Sequence, residues 1–161
     1  MRRLLVPLLA LIAVPTATAA FTVTLNTTSP QTFTAITLNG VDQTQTLPLS
    51  ITVVNTGGTN GTGWSVTAAA GAPTSGANTL SPLQVTAVSA AQCTIGQCVN
   101  PSNNVAVPVA LTAGGAKIFN AAAGTGTGSV VLTATLQMTY DAKALPGTYT
   151  ASLTVAGTTS P

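Results

Sequence analysis

Apolar and polar residues alternate along most of this chain, and almost nowhere do they repeat with helical period. Phe21-Thr22-Val23-Thr24-Leu25 sets the habit: an apolar side chain, then Thr, then apolar again. Residues 33–38, 47–54, 63–69, 83–88, 105–111, 129–140 and 148–155 repeat it. Alternation rich in β-branched residues predicts strands with one buried and one wet face. Turn-forming clusters separate them at residues 27–30, 39–40, 55–63, 71–76, 100–104, 113–115 and 146–147. The spacing predicts an all-β fold, an immunoglobulin-like antiparallel β-sandwich of about eight strands. Only residues 116–123 read as a short helix, with glycines on both sides. The longest irregular stretch is residues 89–104, and a loop of that length is usually constrained or functional.

The first residues break the alternation. Arg2 and Arg3 precede an apolar run over residues 4–14, and Ala17-Thr18-Ala19 offers a small-x-small cleavage site. These are the parts of a cleaved signal peptide at residues 1–19. The run is too short for a transmembrane helix, which needs ~20 apolar residues. Residues 20–161 then form a single domain, with no second apolar span to make it an integral membrane protein. No lipoprotein cysteine or C-terminal sorting signal is expected. The predicted location is secreted or cell-surface, outside the cytoplasm.

Charge narrows the possible partners. Once Arg2 and Arg3 leave with the signal, Asp42, Lys117, Asp141 and Lys143 remain and cancel, and the chain has no His. Nucleic-acid binding needs basic surface to neutralise phosphates, so nucleic acid is excluded as a partner. Anionic membrane surfaces are excluded by the same argument. A neutral surface also gives little repulsion between copies, so self-association is a live expectation.

Catalytic groups are scarce. A Ser, Thr or Cys nucleophile needs a base, and without His only Lys117 or Lys143 is on offer, neither in a nucleophile motif. Asp42 and Asp141 are expected to cap turns, not to act as a carboxylate pair. Two carboxylates are too few for a calcium site. The glycine runs at residues 57–63 and 124–128 lead into strands, whereas phosphate loops lead into a helix and usually carry Lys. No enzyme activity, metal or cofactor is expected. Cys93 and Cys98 lie in one loop, and export makes a disulfide between them the default.

Trp64 is the only Trp. It shares a strand face with Val66 and Ala68, and that face suits the apolar side of Leu132, Ala134, Leu136 and Met138. We therefore expect Trp64 in the core instead of on a sugar-stacking platform. Any binding then belongs to loops, with Asn60, Thr62 and Gly63 as the candidate binding loop.

Several stretches resemble the WxL family of bacterial cell-surface domains. They are Asn39-Gly40-Val41-Asp42-Gln43-Thr44, Gly61-Thr62-Gly63-Trp64-Ser65-Val66-Thr67, Ala116-Lys117-Ile118 with Ala121-Ala122-Ala123-Gly124-Thr125-Gly126, and Tyr140-Asp141-Ala142-Lys143-Ala144-Leu145-Pro146-Gly147-Thr148-Tyr149-Thr150. Trp64-Ser65-Val66 stands where the family has Trp-x-Leu, and the segment with Tyr149 stands where its second Trp motif falls. Trp64, Val66 and Tyr149 are thus the motif and core positions. The resemblance implies a non-catalytic surface protein held non-covalently to cell-wall peptidoglycan or to other surface proteins. The alternatives are a self-assembling filament or surface-layer subunit, and a secreted carbohydrate-binding module.

Overall fold

The computed structural model describes residues 21–26, 31, 33, 36–56, 63–94, 99–159. The predicted signal peptide, Asn60, Thr62 and Cys98 lie outside them. All regular structure among the described residues is antiparallel strand: β1 (Phe21–Leu25), β2 (Gln43–Asn55), β3 (Trp64–Ala70), β4 (Thr74–Ser75), β5 (Asn78–Thr79), β6 (Gln84–Ala90), β7 (Val109–Ala110), β8 (Ala116–Ala121), β9 (Gly128–Tyr140) and β10 (Leu153–Thr158). A five-stranded sheet has the order β1-β2-β9-β6-β7, and a three-stranded sheet the order β10-β3-β8. Together they curl as a half-barrel. The two-residue strands β4 and β5 pair separately.

The two long strands, β2 and β9, form the spine and pair along their whole length, from Gln43↔Tyr140 to Asn55↔Gly128. Their alternation explains the burial. Leu49, Ile51 and Val53 of β2 point inward with Val130, Leu132, Ala134, Leu136 and Met138 of β9. Thr44, Thr46, Thr133, Thr135, Gln137 and Thr139 point outward, so the outer face carries hydroxyls and amides without charge. Pro48 sits inside β2 without breaking it. The amide of Asn26 donates to the Ser50 carbonyl, so even-numbered residues of β2 turn their backbone toward β1. β1 pairs only with residues 51–55, and the N–H that Pro48 lacks falls beyond its end.

Inward residues of both sheets meet in one cluster, in which Trp64, Val66 and Ala68 of β3 join the apolar side of β9. Fully burying each aliphatic or aromatic side chain of this kind contributes ~1.5–3 kcal/mol. Trp64 packs on Phe119 with ring centroids 5.2 Å apart and planes 19° from parallel. Phe21 adds a tilted contact at 6.4 Å.

Five expectations need correction. Residues 116–123 hold no helix: β8 pairs with β3, with a bulge at Val66/Thr67, and buries Ile118, Phe119, Asn120 and Ala121 in succession. Tertiary burial overrides the helical preference of an Ala-rich segment. The strand expected over 105–111 shrinks to β7, because Pro108 interrupts the alternation and has no N–H for a ladder. The last strand starts late, at Leu153, because Thr150 instead exchanges two 2.9 Å backbone hydrogen bonds with Thr74. The described residues of 33–38 lie outside strands. The described strands number ten, three of them only two residues long, against about eight expected.

Candidate functional site

Two clefts share Tyr149, and the second adjoins the turn after β9 that the acidic residues hold. β9 ends at Tyr140, and the chain turns at once: the Asp141 carbonyl accepts the Ala144 N–H at 2.8 Å. The Asp141 carboxylate accepts the Ser81 hydroxyl at 3.2 and 3.3 Å. The Asp42 carboxylate accepts the Ala142 N–H at 2.7 Å. Each Asp therefore ties the 141–147 turn to a distant part of the chain. Beyond the turn the Tyr149 hydroxyl donates to the Leu145 carbonyl at 2.8 Å. This places the Tyr149 ring against Tyr140 edge to face, with centroids 6.4 Å apart and planes at 84°.

Tyr149 lines both clefts. The first, of about 290 Å³, is mostly aliphatic, with Leu25, Phe33, Leu47, Leu49, Met138 and Leu153 in its walls. The second, of about 400 Å³, is lined by Ile36, Leu38, Tyr140, Leu145, Pro146 and Tyr149. No charged side chain among the described residues lines either cleft. Burial raises the Tyr140 phenol above its ordinary value of 10.0, and the neighbouring Tyr149 raises it further. Tyr140 thus stays protonated at neutral pH. Its hydroxyl has no hydrogen-bond partner among the described residues.

Tyr149, singled out by sequence as a motif and core position, thus lies at the clefts; the other residues singled out lie elsewhere. Trp64 and Val66 are 0% exposed, at the opposite end of β3 from these clefts. The Trp64 indole Nε1–H donates to the Gly126 carbonyl at 2.8 Å, so the ring has neither a free face nor a free donor. Gly63 is buried with φ +81, and a Cβ there would stand 2.5 Å from the Ala121 carbonyl oxygen. Close packing and a left-handed backbone explain this glycine, which offers no surface for a ligand. Of the candidate loop, Asn60 and Thr62 lie outside the described residues. Cys93 is half-buried and packs against the core, and its expected partner Cys98 is outside them too.

Lys117 donates to the buried Asn120 side chain at 3.2 Å. Asn120 is held further by Asn103 and Asn104, each at 2.9 Å. Lys117 is therefore engaged with its own strand, β8. No group of three or more His, Cys, Asp or Glu occurs among the described residues. No helix among them is long and apolar enough to cross a membrane.

Sequence reasoning passed over Tyr140. The signal was present: in a chain with few aromatics, two tyrosines flank the Pro146-Gly147 turn. Compared with known protein families, curated proteins and solved structures, the chain matches none.

Proposed function

We propose that this chain is a non-catalytic, exported protein of the bacterial cell surface, an immunoglobulin-like β-sandwich held non-covalently to the wall or to a surface complex. One observation carries the reading. Asp42, Asp141 and Lys117 are each engaged in holding a loop or strand, while the clefts beside Tyr149 are uncharged. Chemistry that moves protons or stabilises charge needs ionisable groups aimed at the substrate. A rigid scaffold that only binds needs shaped neutral clefts on anchored loops.

Two sheets sharing one core support the sandwich architecture. So does the bond from the Tyr149 hydroxyl to the backbone four residues upstream, which resembles the tyrosine corner of such folds. Residues 1–19 supply the export signal, and a Cys93–Cys98 bridge pins the 89–104 loop. The resemblance of the Trp64 and Tyr140–Thr150 segments to WxL domains points the same way.

The uncharged Thr-rich outer face of the five-stranded sheet favours a second reading, self-association into a filament or surface layer. Fractionation of producing cells tests the first. The protein should appear in the wall fraction and be released intact by concentrated urea without digestion of the glycan. Recovery in the cytoplasm, or release only by a glycan-cleaving enzyme, contradicts it.

A further inference from the structure

The cleft between Tyr140 and Leu145 is the feature that neither fold nor packing explains. Its walls are Ile36, Leu38, Tyr140, Leu145, Pro146 and Tyr149, and its volume of about 400 Å³ lies in the ~300–1,000 Å³ range of small-ligand sites. We propose that it binds a neutral glycan, one or two pyranose rings seated against the Tyr140–Tyr149 pair. The proposal rests on the reading of the chain as a surface-binding module, and it names the ligand class.

Three observations lead to that class. First, none of the described residues that line the cleft is charged, so a charged ligand finds no counter-ion in its walls. Second, the edge-to-face tyrosine pair is a rigid apolar surface, and the C–H face of a pyranose is apolar while its rim is not. Third, the two hydroxyls of the pair are complementary. Tyr149 Oη has donated its proton to the Leu145 carbonyl and keeps lone pairs that accept. Tyr140 Oη has no partner among the described residues and both donates and accepts. A sugar hydroxyl both donates and accepts, so a rim of them matches both tyrosines. A proline-rich peptide, the other usual guest of Tyr/Pro grooves, brings carbonyl acceptors but no N–H at proline. It would leave the Tyr149 lone pairs unmatched.

The test is calorimetric titration of the mature protein with cellotetraose and with chitotetraose, beside an uncharged proline-rich decapeptide. Tyr140→Phe keeps the ring and removes the hydroxyl. It should weaken binding of the tetraose about three- to tenfold, the size of one hydrogen bond, with the melting midpoint unchanged. Leu145→Ser shortens an exposed side chain that lines the cleft, and should weaken binding about threefold without unfolding the domain. Tetraose binding that both substitutions leave unchanged overturns the assignment to this cleft. Preference for the peptide overturns the ligand class. Binding of whole cell wall but of neither tetraose overturns this proposal and leaves the surface-binding reading standing. Binding to neither wall nor tetraose overturns both.

Discussion

The contact between Trp64 and Gly126 should behave as one unit, and a double-mutant cycle can measure it. Gly126 has φ +68 and passes its carbonyl to the indole N–H at 2.8 Å. A Cβ on Gly126 would stand 2.8 Å from Trp64 Cε2, with Nε1 nearer still. Gly126→Ala therefore carries two costs: ~1–2 kcal/mol for an L-residue in left-handed backbone, and ~1–3 kcal/mol for overpacking against a ring that is itself wedged on Phe119. Trp64→Phe keeps an aromatic ring in the core but removes the Nε1 and Cζ2 region that meets Gly126. It also leaves the Gly126 carbonyl without its donor, which costs ~1–3 kcal/mol. In the Trp64→Phe background only the backbone strain of Gly126→Ala remains. The two substitutions should thus couple by ~1–3 kcal/mol, the double mutant being more stable than the sum predicts. Urea unfolding followed by far-ultraviolet circular dichroism gives all four corners, since a domain with ~5–15 kcal/mol of stability tolerates each. If Gly126→Ala costs the same in both backgrounds, within the ~0.3–0.5 kcal/mol of additive behaviour, Trp64 does not pack against Gly126 and the account of this core is wrong.

Three further outcomes are expected. A non-reduced digest of the secreted protein should contain Cys93 and Cys98 linked, and the double Ser variant should still fold with a loss of only ~2 kcal/mol, because the closed loop is short; freely alkylated thiols in the native protein would refute the bridge. Tyr140 is raised above 10.0 by burial and by Tyr149, so the unfolded chain ionises first: stability should hold below pH 10 and fall as pH rises from there toward the folded value. Alkaline titration of the urea midpoint reads this, and Tyr140→Phe should flatten the fall; an unchanged slope in that variant assigns the effect elsewhere. N-terminal sequencing of secreted protein should begin at Ala20 or Phe21, and an intact Met1 on a cytoplasmic pool would remove the basis of both export and bridge.

How much of this was legible in the sequence depended on whether the information was local. The strands β2, β3 and β9 follow from alternation, because period two alone decides which side chains share a face. That Trp64, Val66 and Ala68 share a face is written in their spacing. That this face lies over Leu132, Ala134 and Leu136 is a matter of sheet order, which spacing only suggests. β8 was misread because alanine favours helix until burial between Trp64 and the 102–104 segment decides otherwise. The start of β10 was misplaced because Thr150 pairs with Thr74, a partner far away in sequence. The candidate site was the least legible part. Tyr140 and Tyr149 meet across a turn that Asp42 and Asp141 hold through contacts between residues 100 and 60 positions apart. No local pattern records such closures. The aromatic residue that composition made conspicuous, Trp64, is buried, and Tyr140, which sequence gave no site role, lines the cleft.

The central proposal is that this β-domain attaches non-covalently to the cell surface. Co-sedimentation of the purified mature protein with isolated peptidoglycan, run beside velocity sedimentation of the protein alone, tests it most directly. The account predicts that the protein pellets with the wall, is released intact by urea, and sediments as a small species when the wall is absent. Protein that stays in the supernatant with wall, or forms large particles without it, contradicts the account, and the second result favours the self-assembling reading.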